Sequence, residues 1–148
     1  MKTTTTILPQ LFLRLALSIS YLSAVADRFG LWGAPGSPGV SWGNWQNFLA
    51  YSNSVNGFLP PSLGNILAAV ATALEVILPV LLLIGYKTRL ASVASGILLL
   101  LFAVAMTISF GIKAPLNYSV WTAAAASFLL SVLPIYPYSI DQAVTSNR

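Results

Sequence analysis

Two ionisable side chains stand inside apolar runs of this chain: Arg14 within residues 7–26 and Glu75 within residues 66–84. A charge in hydrocarbon is costly unless it is paired, neutralised or turned toward a wet cavity, so both are suspects for function. On helices, Arg14 falls about 12 Å from the start of the first run and Glu75 about 15 Å from the end of the second. On antiparallel neighbours those depths coincide. The expectation is an Arg14–Glu75 ion pair, serving either to fix helix register or as a proton or ligand site built around the carboxylate. Ser18 and Tyr21, which share a helix face with Arg14, and Thr72 are candidate pocket-lining residues, with Trp42 and Trp45 at a mouth.

Other chemistry is narrowed by what is missing. The chain has no cysteine and no histidine. That removes an internal dithiol relay, thiolate ligation of an iron–sulfur cluster and imidazole ligation of haem. No nucleophile–His–acid set, HExxH helix or Walker loop occurs, so no catalytic or metal-ligating residues are assigned. Gly30, Gly33, Gly36 and Gly39 recur in steps of three, but prolines interrupt them and no βαβ context surrounds them, which argues against dinucleotide binding. No covalently bound cofactor is expected; a quinone remains open.

The elements that must hold these residues are membrane helices. Of 148 residues, 57% are hydrophobic and only 7% charged, against about 25% charged in an ordinary soluble domain. Mean hydropathy is +0.81. The net charge of +4 comes from scattered single residues, the pattern of orientation signals at membrane edges rather than of a nucleic-acid surface.

Four spans are expected, at about 7–26, 66–84, 90–110 and 118–135. Arg14 and the absence of a small-x-small site argue against a cleaved signal in the first. The external loop, 29–63, is rich in Gly and Pro and holds an interfacial helix over 42–56, whose Trp42, Trp45, Phe48, Leu49 and Ser52 recur at helical spacing. Pro79, four residues after Glu75, removes the N–H that would bond the Glu75 carbonyl and predicts a kink. Ser92 with Gly96, and Ala91 with Ser95, stand at small-xxx-small spacing suited to close packing. Asn117 is a plausible N-cap for the fourth span, and the tail beyond Tyr138 reads as polar and mobile.

The fold class is therefore all-α: one transmembrane domain over 1–148, an integral membrane four-helix up-down-up-down bundle. The turn Gly85–Arg89 carries Lys87 and Arg89 and would share one side with Lys2 and Arg148, against Arg28 and Lys113 on the other. That bias predicts both termini in the cytoplasm.

The stretch Ala73–Ser92 (ALEVILPVLLLIGYKTRLAS), with Arg14, Trp32 and the loop aromatics, resembles the DoxX-like family of small four-span bacterial membrane proteins. Glu75, Gly85, Thr88 and Arg89 match its pattern of a glutamate helix ending in a glycine and an arginine turn. The resemblance covers about residues 11–133. It implies a four-helix bundle in the bacterial cytoplasmic (inner) membrane and association with respiratory or thiol-redox systems. One branch resembles a thiosulfate:quinone oxidoreductase subunit, another a membrane partner of detoxifying enzymes. The leading functional expectation is a non-catalytic membrane subunit or scaffold of a redox or envelope-stress complex. The alternatives are a quinone-binding oxidoreductase subunit and a small transporter acting as an oligomer. Expected partners are the lipid bilayer, a soluble or membrane redox protein, and further copies of the chain.

Overall fold

The computed structural model describes residues 7–146, all of whose regular structure is helical. Lys2 and Arg148, which entered the charge count, lie outside the described residues. The helices are α1 (Ile7–Arg28), α2 (Trp45–Val55), α3 (Pro61–Ile84), α4 (Thr88–Phe110), α5 (Lys113–Asn117), α6 (Val120–Ser131) and α7 (Ile140–Ser146).

Helices α1, α3 and α4 are long and apolar enough to cross a membrane. Only 28%, 33% and 28% of their most apolar windows are buried inside the protein, so most of that surface needs an apolar solvent, which is lipid. Phe12 and Ile19 on α1, Val70 and Ile77 on α3, and Leu101 and Ile108 on α4 point outward. The polar residues turn inward instead: Arg14 and Ser18 on α1, Thr72 and Glu75 on α3, and Thr88, Ser92 and Ser95 on α4 are all buried. The chain is a membrane-embedded helical protein.

Each long helix begins earlier or ends later than the apolar run that revealed it. Pro60 and Pro61 start α3, with Pro61 in the first turn where a missing N–H costs least. Helix α2 is shorter than the expected 42–56, because the Asn44 side chain accepts the Asn47 N–H and fixes the start at Trp45.

The expected span 118–135 is not one continuous helix. Asn117 is the last residue of α5 rather than an N-cap, and Ser119 takes a left-handed conformation (φ 56°) between α5 and α6. Helix α6 has 12 residues, about 18 Å, well short of the ~30 Å hydrocarbon thickness. It packs chiefly on α4 and touches α1. A Cβ at Gly96 of α4 would lie 2.7 Å from the Phe128 ring of α6, so only glycine admits that ring. The small residues at that spacing therefore make a helix–helix seam.

The tail beyond Tyr138 is also more ordered than its composition suggests. It forms α7, and the Asp141 carboxylate accepts the backbone N–H groups of Lys87 and Thr88, 2.7 Å each. No side chain within α4 caps its start. A carboxylate from a distant segment does so, against the positive end of the helix dipole.

Candidate functional site

Helices α1 and α3 run antiparallel, and two contacts set their register. The Ser18 hydroxyl donates to the Pro79 carbonyl (3.1 Å), and Arg14 Nε donates to the Leu82 carbonyl (2.8 Å). In that register Glu75 stands level with Leu22, about 12 Å further along α1 than Arg14. The expected Arg14–Glu75 pair is therefore corrected. Glu75 pairs with Arg28.

The reason lies in side-chain direction. Helical side chains lean toward their own N-terminus. Arg28, at the far end of α1, leans back into the bundle and spans the roughly 9 Å between its own level and that of Glu75. Arg14 leans in the same direction, toward the α1 N-terminus, which carries it to the Gly85 turn and away from Glu75.

Arg28, counted above among the charges at a membrane edge, is buried. Its Nη1 donates to the Glu75 carboxylate and to Thr72 Oγ1 (2.6 Å). The Thr72 hydroxyl in turn donates to the Ala68 carbonyl (2.8 Å). Two rings of the external segment cover the guanidinium: its carbon lies 4.0 Å from the Phe48 ring centre and 5.5 Å from that of Trp42. This is cation–π packing on a desolvated ion pair, where such contacts are strongest.

Arg14 makes no ion pair among the described residues. Its guanidinium donates to four carbonyls: Leu82 (2.8 Å), Leu83 (3.0 Å), Pro137 (3.2 Å) and Tyr138 (3.4 Å). The first two are carbonyls of the last turn of α3, left without intrahelical partners, where a cation also meets the negative end of the dipole. Gln10 adds a bond to the Pro137 carbonyl (3.1 Å). Gly85 closes α3 with φ 68°, and a Cβ there would come within 2.6 Å of Arg14 Nη2 and 2.3 Å of Ser139 Cβ. Glycine is required twice over, by conformation and by space.

Asp27, not singled out from the sequence, organises the external loop. It accepts the backbone N–H groups of Ser41 (2.8 Å), Trp42 (3.2 Å) and Gly43 (2.9 Å). That holds Trp42 against Arg28. The rest of the aromatic cluster follows: Trp45 stacks on Phe29 (5.8 Å between centres) and Tyr51 meets Trp42. Burial pushes the Tyr51 phenol above its ordinary pKa, and the neighbouring Tyr118 adds to the shift.

Two cavities lie beside α1. The outer one, of about 440 Å³, is lined by Asp27, Trp32, Trp42 and three serines. The inner one, of about 400 Å³, is bounded by α1, α4 and α6, and Glu75 stands in its wall with Tyr21. Of the candidate lining residues, Tyr21 and Trp42 each reach a cavity. Ser18, Thr72 and Trp45 do not line them; they hold Pro79, Arg28 and Phe29 respectively. No group of three or more metal-ligating side chains occurs among the described residues.

The DoxX family pattern matches residues 9–109, which take in α1 to α4 and every contact of Arg14, Asp27, Arg28 and Glu75 except those to residues 137 and 138. This chain belongs to the DoxX family. No curated protein and no solved structure matches it. The DoxX match ends before α5, so the helix that Phe128 brings against Gly96, and the tail that caps α4, lie beyond it. Within it, the four residues that carried the resemblance have separate duties. Glu75 anchors Arg28, Gly85 turns the chain beside Arg14, the Thr88 N–H donates to the Asp141 carboxylate, and the Arg89 side chain is exposed, as is that of Lys87.

Proposed function

We propose that this DoxX protein is a non-catalytic subunit of a bacterial cytoplasmic-membrane complex, a scaffold that presents a docking face to a soluble redox or stress-response partner. One observation carries the reading. The ionisable groups buried between the helices are all spent on architecture: Arg14 on four carbonyls, Asp27 on three amides, Glu75 on Arg28. Buried groups so engaged position helices; a catalytic acid or base needs a free face toward substrate. Lys87 and Arg89 remain exposed on the turn between α3 and α4 and offer a basic patch to an acidic partner. Both termini and that turn are assigned to the cytoplasm, with α5 and α6 together making the fourth crossing.

Gentle solubilisation followed by native mass spectrometry tests this. A stoichiometric soluble partner should be retained and then lost in Lys87→Glu/Arg89→Glu. A chain that always travels alone, at every detergent concentration, would overturn the subunit reading.

A second reading is favoured by one feature, the inner cavity with Glu75 in its wall. About 400 Å³ falls within the range of small-molecule sites. A quinone ring there would accept no hydrogen bond from an ionised Glu75 but could donate one as quinol. Glu75→Gln should weaken quinol binding in reconstituted protein, and unchanged binding would discard the carboxylate as its anchor.

A further inference from the structure

The inner cavity is a slot. Its α1 wall runs from Leu13 to Ala24, a length of about 16 Å on a helix. Opposite stand residues between Tyr118 and Ala126, on α6 and the turn before it. Helix α6 runs antiparallel to α1, since it leads to residues 137 and 138, whose carbonyls meet Arg14. The loop-side end of the slot therefore collects Ser20, Tyr21, Glu75, Ser119 and Thr122, and the other end Leu13, Ala16, Leu17 and Ala126. Ser20, Ser119 and Thr122 are exposed, so the slot opens sideways, toward lipid, between α1 and α6.

The buried groups at the loop-side end decide what fits. Glu75 and Tyr21 are only 4% and 5% exposed. Glu75 meets Arg28 through Oε2 alone; its Oε1 has no donor among the described residues and stays open to the slot. As the counter-charge of Arg28, the carboxylate accepts and does not donate. The Tyr21 hydroxyl donates to the Ser95 carbonyl (3.3 Å), so toward the slot it too offers lone pairs. Both buried groups accept, and neither donates.

Charge narrows the head further. Arg28 already balances Glu75, and no other charged side chain lines the slot among the described residues. An ammonium head would bring a positive charge with no acid left to meet it, and a carboxylate head would face Glu75 itself. Either is costly away from water. A carbonyl head would set acceptor against acceptor. A neutral hydroxyl satisfies the site, through a charge-assisted hydrogen bond. The far end is lined by aliphatic side chains and by no ring among the described residues, which suits a methylene chain.

From this we infer that the inner cavity binds a long-chain aliphatic alcohol drawn sideways from the bilayer. Its hydroxyl donates to Glu75 Oε1 beside the Tyr21 hydroxyl, and its chain lies along α1 toward Leu13. The inference rests on the second reading's view of this cavity as a ligand site, with a chain in place of the ring. It is independent of the subunit reading.

The test uses the full chain in nanodiscs. The probe is dodecanol with a photoreactive diazirine close to the hydroxyl, and labelled residues are located by mass spectrometry. Labelling should saturate and concentrate on Ser20, Tyr21, Glu75 and Ser119. Plain dodecanol should displace the probe. Dodecyl methyl ether keeps the oxygen but lacks the donor, and should displace it about tenfold less well. Dodecylammonium and dodecanoate should also be weaker than the alcohol. Ala126→Phe fills the aliphatic end and should lower the probe's affinity by about the same factor while thermal unfolding stays unchanged. If that variant does not fold, the comparison of heads decides. Unsaturable labelling spread over the lipid-facing sides of α3 and α4 would overturn both the inference and the cavity reading. Displacement by the ether, or by hydroquinone without a chain, as strong as that by dodecanol would overturn the alcohol alone and leave the cavity a ligand site.

Discussion

Arg28 and Glu75 are coupled, and the size of the coupling separates them from every other charge in the bundle. Removing either leaves the other buried without its counter-charge, a loss of roughly 3–5 kcal/mol in soluble proteins. Arg28→Met and Glu75→Leu together should cost less than the sum of the two, as read by thermal unfolding in detergent. The same cycle with Arg14→Met in place of Arg28→Met should be additive within about 0.5 kcal/mol, since the two side chains share no partner. Additivity in the Arg28 cycle would sink the pair. Arg14 has its own signature. A lysine keeps the charge but presents one compact ammonium where the guanidinium forks among four carbonyls. Arg14→Lys should therefore lower the unfolding temperature nearly as far as Arg14→Met; full retention would mean that charge alone suffices.

At the scale of elements, the ends of helices are where sequence reading fell short. The apolar runs were legible because lipid imposes a length on them. Glu75 and Arg14 were legible as anomalies inside those runs. Their partners were not, because register depends on which way long side chains lean, and Arg28 looked like an ordinary charge at a membrane edge. A rule that cations at the C-terminal end of a helix lean inward would have found it. Asp141 was hidden more thoroughly, since its acceptor role joins segments 53 residues apart. Two element-level predictions follow from those junctions. Asp141→Ala should remove the cap of α4 and cost about 0.5–2 kcal/mol, the usual range for a lost cap, with faster amide exchange confined to residues 87–91. Gly85→Ala should cost more than the roughly 1 kcal/mol of left-handed strain, because its methyl also displaces Arg14 and Ser139. A Gly85→Ala protein as stable as the parent would contradict the close approach at that turn.

For the whole molecule the open matter is the number of crossings, and it reduces to where the chain emerges after α6. Three long helices are plain in composition. The expected fourth span is not a single long helix, because α6 is short and the turn at Ser119 interrupts the apolar run that suggested it. Reporter fusions after Arg89 and within 52–57 should report opposite faces. A third fusion, after Ser146, should agree with the Arg89 site if α5 and α6 together cross, and with the 52–57 site if they do not. The contact of Asp141 with Lys87 and Thr88 already requires α7 to lie beside the α3–α4 turn.

That contact also has a meaning in time. During synthesis α4 emerges with its first amides open, and the carboxylate that closes them is 53 residues away, roughly 3–10 s later at ordinary translation rates. Until then the hairpin of α3 and α4 is inserted but unsealed, and Arg14 waits for two of its four carbonyls. A chain that lacks the late segment therefore has neither the cap of α4 nor two of the carbonyls that Arg14 holds. Ribosome-stalled chains ending before Pro137 should be degraded by membrane proteases faster than chains stalled far enough downstream to free Asp141 from the exit tunnel, though every long helix is present in both.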